Sequence, residues 1–181
     1  MAQLCHVSVT PPALALEAVL VSVYLGVLPS YLVQLRVPGI AENRENVGRG
    51  TAALALVIFV PKCCDIGAYF TGRFLGRHLM SPVLSPKKTW EGAAGGVLVA
   101  IIASIGIDRL RPTVAGGIFG AAVLGLALAV AGILGDLAES LIKRDCIQKD
   151  ASHILPGFGG VLDIVDSILF AAPVGYWWLR F

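Results

Sequence analysis

Val114–Gly135 reads VAGGIFGAAVLGLALAVAGILG, a long stretch without a single charge. At 1.5 Å per residue, a helix of this length covers about 30 Å, the thickness of a bilayer's hydrocarbon core. Working outward, Gly92–Ile107 is shorter and rich in Gly and Ala, and Thr51–Phe70 is apolar apart from Lys62 and Asp65. Ala13–Leu35 carries one charge, Glu17. Ile164–Trp178 holds Asp166 near its start and closes on Tyr176, Trp177 and Trp178, an aromatic set suited to a lipid–water interface. In lipid only helices and closed barrels satisfy their own backbone. The expectation is an all-α, polytopic integral membrane protein with about five transmembrane helices, forming one transmembrane domain over residues 1–181. Gly95, Gly96, Gly116, Gly117, Gly120 and Gly125 put small residues in the third and fourth spans, which predicts close packing against neighbours.

Composition agrees. The chain is 56% hydrophobic and 14% charged, with a mean hydropathy of +0.80, against about 45–50% and about 25% in soluble domains. A net charge of +2, with no basic run interleaved with aromatics, excludes a nucleic-acid partner. Cys5, Cys63, Cys64 and Cys146 contain no CxxC pair, so neither a zinc site nor a disulfide framework is indicated. Residues Met1–Pro12 contain no Lys or Arg and do not resemble a secretory signal.

Polar chemistry concentrates just beyond the longest apolar run. GDLAES brings Asp136 and Glu139, SLIKRDCIQKDASHILPGFGGVLDIVDS follows, and Asp163 and Asp166 close it. Ionisable residues beside membrane spans mark sites or ion paths, because burying them in lipid is costly. Asp136, Glu139, Ser140 and Lys143 follow i, i+3, i+4 and i+7, so they line one helix face if the fourth span continues that far. Asp163 and Asp166 are again i, i+3. Gly157, Gly159 and Gly160 after Pro156 permit a sharp turn or close approach to a ligand. Hard cations such as Mg2+ take carboxylate oxygens, water and substrate phosphates. Two carboxylate-bearing helix ends would hold one or two such ions, while Lys143, Arg144 and Lys149 neutralise phosphate charge. The reading is a metal–phosphate site at a membrane surface.

Five spans place Thr71–Glu91 and Leu141–Asp163 on one side, and Arg36–Gly50 and Asp108–Thr113 on the other. The motif loops SPKKTWEG and KRDCIQKD therefore share a face. The loops Thr71–Glu91 and Leu141–Asp163 carry seven Lys/Arg against six for the opposite side and the C-terminus, a margin that does not orient the protein by the positive-inside rule.

S-x-x-K-R-x4-K-D-x5-P-G-x-G-G-x-x-D-x-x-D, from Ser140 to Asp166, resembles the phosphatidate cytidylyltransferase family, the CDP-diacylglycerol synthases. KCCDIGAYFTGRFLGRH resembles the family's D-x-x-A/G-Y-x-x-G-R-x-x-G segment, and SPKKTWEG at Ser85–Gly92 matches a further family block, so the motif-bearing part is 61–181. The resemblance implies conversion of CTP and phosphatidic acid to CDP-diacylglycerol and pyrophosphate, in phospholipid biosynthesis, with Mg2+ and a second cation. It places Asp136, Asp163 and Asp166 at the metals, and Lys143, Arg144, Lys149 and Asp150 around the nucleotide and phosphates. Lys87, Lys88, Gly157, Gly159 and Gly160 join the substrate-binding set. The chemistry is in-line attack on the α-phosphorus, needing positioning and charge neutralisation rather than a nucleophile triad. CTP is cytosolic, so a multi-pass protein of the cell membrane with its active-site loops facing the cytoplasm is expected. A homodimer is the expected assembly.

The chain departs from the family pattern at three points. Phe158 replaces the usual His of His–Gly–Gly, and Ile164 replaces the Arg of Asp–Arg–x–Asp. Family members are also longer, so this chain resembles the C-terminal part plus one or two preceding helices. Rival readings are a CTP-dependent polyprenol or dolichol kinase and a non-catalytic scaffold related to the family. Asp65 beside Lys62 reads equally as a structural ion pair or a catalytic acid, and Glu91 equally as a dipole-offsetting charge or part of the site. Trp90 reads as an interface anchor, and His78 and His153 as solvated loop residues.

Overall fold

The computed structural model describes residues 19, 22–41, 44–81, 85–110, 115–145 and 161–180. A π-helical turn, Val23–Val27, runs into α1 (Leu28–Ala41). Pro29 has no N–H to donate back along this segment, and the π turn ends two residues before it, at Val27. Then follow α2 (Arg44–Leu75), a two-stranded antiparallel hairpin of β1 (Leu79–Ser81) and β2 (Ser85–Thr89), α3 (Trp90–Leu110), α4 (Gly117–Asp145) and α5 (Val161–Arg180). Among the described residues the chain is all-α apart from that hairpin. Among the described residues three stretches are long and apolar enough to cross a membrane: Gly48–Leu75, Trp90–Leu110 and Gly117–Leu141. The expected first and fifth spans overlap the π turn with α1, and α5, respectively.

The central helix is α2, which packs against all four other helices, most extensively against α3. Leu56, Val57, Val60 and Cys64 on α2 meet Leu124, Leu128 and Ala129 of α4 and Ala171 and Ala172 of α5 in one buried core. Small residues set the helix separations. A Cβ on Gly96 of α3 would lie 2.6 Å from the Cys64 carbonyl oxygen, and one on Gly135 of α4 would lie 2.7 Å from the Asp166 carbonyl oxygen. Across α3 and α4 the Ser104 hydroxyl donates to the Ala121 carbonyl (2.7 Å). On the far side, α1 is zipped to α5 by ring contacts of Tyr31 with Tyr176 (5.2 Å) and of the preceding Tyr24 with Phe170 (6.1 Å).

Four local expectations change. Arg36–Gly50 is mostly helix rather than loop, since α1 runs to Ala41 and α2 starts at Arg44. Thr71–Glu91 is not simple loop, because it holds the end of α2, the hairpin and the start of α3. Gly116 and Gly117 have φ of 85° and 84°, and the space where a Cβ would stand is open at both, so they form the left-handed turn into α4 rather than a packed face. Tyr176 is buried against Tyr31, leaving Trp177 and Trp178 exposed at that helix end.

Candidate functional site

The polar tail of the longest apolar segment stays helical. α4 continues ten residues beyond Gly135 to Asp145, so Asp136, Glu139, Ser140 and Lys143 fall on one face of a single helix. α5 crosses α4 where Gly135 allows close approach, which brings Asp166 beside that face. One carboxylate oxygen from each of Asp136, Glu139 and Asp166 lies within 4.8 Å of the others. Glu139 is 2% exposed and Asp166 4%.

Cations from two further elements complete the cluster. Lys62 on α2 pairs with Asp65 one turn on (3.0 Å) and reaches Asp166 across the bundle (3.7 Å). The Ser167 hydroxyl donates to the same Asp65 oxygen (3.2 Å), tying α5 to α2. Lys88 on β2 donates to Asp136. Among the described residues, four carboxylates thus gather with two ammonium groups in a largely apolar bundle. Buried charges are costly unless paired or bound to metal.

The residues fit a divalent cation. Carboxylate oxygens are the hard donors that Mg2+ prefers, and at a ligand distance of about 2.0–2.1 Å opposite ligands stand about 4 Å apart. The three oxygens need little closure to share one ion. The buried Tyr24 hydroxyl finds no hydrogen-bond partner among the described residues, and its ring sits on Phe170, one turn from Asp166.

Next to the cluster is a cavity of about 270 Å³. Asp65, Lys88 and Asp136 mark its polar side, with Cys64, Ala68, Met80, Ala93 and Ile133 on its apolar walls. The SPKKTWEG block builds one rim. Thr89 caps α3 by accepting the Gly92 N–H (3.1 Å), and Gly92 lies under the Ala68 carbonyl, 2.9 Å from where a Cβ would stand.

Of the residues singled out from sequence, Asp136 and Asp166 come together, and Lys88 reaches Asp136. Asp163 lies near the start of α5, Lys143 and Arg144 on the last turns of α4, and Lys87 on β2; the side chains of these four lie outside the described residues. Lys149, Asp150, Gly157, Gly159 and Gly160 also fall outside them, as do Glu17, His153 and Phe158. Glu139 stands in the cluster too: the sequence reading puts it with Asp136 on the carboxylate-bearing helix face, although the resemblance does not place it at the metals. Lys62, Ser167 and Tyr24 carry no expected role in the cluster, and only tertiary packing brings them to it. Glu91 does not join the cluster, and His78 is not simply solvated, because the two bind each other (2.6 Å).

Comparison with known proteins places the chain in a family. The pattern of the Cytidylyltransferase family matches residues 4–181, and the chain belongs to that family. It is 41% identical over 127 residues to a phosphatidate cytidylyltransferase of Haemophilus influenzae, covering 68% of this chain and 44% of the relative. It is 36% identical over 178 residues to that of Synechocystis sp., covering 86% and 59%, and 36% identical over 160 residues to that of Bacillus subtilis, covering 88% and 56%. The chain spans about half the length of the curated relatives it matches.

Proposed function

We propose that this chain carries the catalytic site of a membrane nucleotidyltransferase that joins CTP to phosphatidic acid, giving CDP-diacylglycerol and pyrophosphate. The observation that carries the reading is the convergence of Asp136, Glu139 and Asp166 from two helices, flanked by Lys62 and Lys88. A phosphate oxygen of phosphatidic acid attacks the α-phosphorus of CTP in line. The bond from that phosphorus to the oxygen bridging the α- and β-phosphates breaks, and pyrophosphate leaves with the electron pair. Asp136, Glu139 and Asp166, with Asp163, would hold Mg2+ and a second cation. Bound there, such ions would screen the triphosphate and polarise its P–O bonds. Lys62 pairs with and orients Asp65 and Asp166, and Lys88 does the same for Asp136. Lys87, Lys143, Arg144, Lys149 and Asp150 surround the triphosphate, and Gly157, Gly159 and Gly160 bring backbone close to it. The apolar cavity walls suit the lipid substrate beside the polar side that faces the reacting phosphates.

The site then faces the cytoplasm of the cell membrane, where CTP is found. A second copy of the chain is the protein partner in this reading. The test is turnover of labelled CTP with phosphatidic acid by the detergent-purified chain. Magnesium-dependent formation of a labelled lipid is expected, abolished by chelation. Labelled lipid phosphate without cytidine would indicate a kinase instead, and no labelled lipid would refute the reading.

A further inference from the structure

The base of the hairpin is closed by one side chain. Glu91, in the first turn of α3, accepts hydrogen bonds through Oε2 from the backbone N–H groups of Arg77 (3.1 Å) and His78 (3.2 Å). Its Oε1 lies 2.6 Å from His78 Nδ1. Next to it, the Trp90 N–H donates to the His78 carbonyl (3.0 Å). The segment leading into β1 is thereby tied to the residues that follow β2. Lys88 lies inside the loop so closed, next to Thr89, which pairs with Leu79 and caps α3.

Thr89 already supplies the N-cap, so capping does not account for Glu91. Offsetting the helix dipole needs only a carboxylate near the first turn. Here both oxygens engage Arg77 and His78, fourteen and thirteen positions earlier. We propose that Glu91 is a positioning residue that acts through the hairpin, holding the Lys88 ammonium against Asp136 and so setting the charge at the cation site. The inference rests on the functional reading above. Small misplacements of such groups are expensive in rate.

The experiment is a double-mutant cycle on the full chain in detergent, comparing wild type, Glu91→Ala, Lys88→Ala and the double variant. Two readouts are used, kcat/KM for CTP and binding of Mn2+ alone to nucleotide-free protein. Lys88→Ala removes a cation that competes for Asp136, so it tightens Mn2+ binding while lowering turnover. Glu91→Ala is expected to lower kcat/KM about tenfold and to shift Mn2+ affinity in the same direction as Lys88→Ala. In the Lys88→Ala background it should then change either readout less than about twofold. Glu91→Gln, whose amide oxygen still accepts a backbone N–H, should recover part of the loss.

Equal effects of Glu91→Ala in both backgrounds, or Mn2+ affinity unmoved by Glu91→Ala in the wild-type background, would overturn the inference. If the wild type binds Mn2+ but turns over no CTP, the functional reading fails and the Mn2+ cycle still decides the role of Glu91. If the wild type neither turns over CTP nor binds Mn2+, both fall.

Discussion

Asp166 is 4% exposed on an apolar helix, and its ionised form is tolerated there only with compensation. Lys62 at 3.7 Å supplies part of it, and the carboxylates of Asp136 and Glu139 close by suit a shared cation. Replacing Asp166 with Asn keeps the shape and removes the charge. Losing several kcal/mol of metal-mediated stabilisation corresponds to a fall in turnover of roughly 100-fold or more. Asp166→Asn is therefore expected to elute and melt like wild type while losing at least that much activity; near-normal turnover would sink the metal assignment. Lys62→Met tests the other side of the balance. It leaves Asp65 and Asp166 without their common partner, and at this partial burial the cost is about 1–3 kcal/mol. The variant should melt earlier than wild type and regain more stability on adding magnesium, because a ligand that binds only the folded state stabilises by mass action. Equal gains in both proteins would argue against a cation at this cluster. Much of this site was legible in the sequence, since Asp136 and Asp166 stand out as acids beside apolar runs. Glu139 and Lys62 were visible too, but which carboxylates Lys62 would join was not, because that depends on where α2 crosses α5.

At the scale of elements, the apolar runs marked α2, α3 and α4 well, because twenty apolar residues have few alternatives to a helix. The hairpin escaped notice for an equally physical reason. Strands of three and five residues are too short for an alternating pattern to register, and SPKKT shows none. Its existence depends instead on Thr89, Glu91 and the backbone of His78. Glycine-rich sequence correctly pointed to close packing at Gly95, Gly96 and Gly125, but the same signal at Gly116 and Gly117 marks a left-handed turn. Composition alone does not separate these two uses of glycine. Gly96 offers the sharper test. A side chain there meets the Cys64 carbonyl at 2.6 Å and the Ala68 methyl at 2.9 Å, both on α2, the helix that also carries Lys62 and Asp65. Gly96→Leu should force α2 and α3 apart, at a cost of about 1–3 kcal/mol or more. The measurement is thermal unfolding in detergent, where a clear drop is expected for Gly96→Leu and little change for Gly106→Leu, whose surroundings are open. Equal effects at the two positions would contradict the packing described.

For the whole molecule, the contact between Lys88 and Asp136 fixes a relation that span counting only suggested. The hairpin joins α2 to α3, and Asp136 lies in the C-terminal half of α4. Their contact puts the hairpin and the polar end of α4 at one end of the bundle, while the α3–α4 turn at Ala115 and Gly116 lies at the other. The buried Asp108 closes that opposite end by accepting the Ala115 N–H (2.9 Å). Which end meets the cytoplasm does not follow from charge, because Lys and Arg are nearly balanced between the two sides. It follows from the substrate in the proposed reaction, since a site that uses CTP must open where CTP is. Exposed Arg77 at the hairpin and exposed Arg109 at the end of α3 report on the two ends. In a chain with Cys5, Cys63, Cys64 and Cys146 replaced, Arg77→Cys should resist a membrane-impermeant maleimide in intact cells and react after permeabilisation. Arg109→Cys should react in both. Labelling of Arg77→Cys from outside would place the carboxylate cluster on the face without CTP and end the nucleotidyltransfer reading. Labelling of both positions in intact cells would mean that α3 does not cross the membrane.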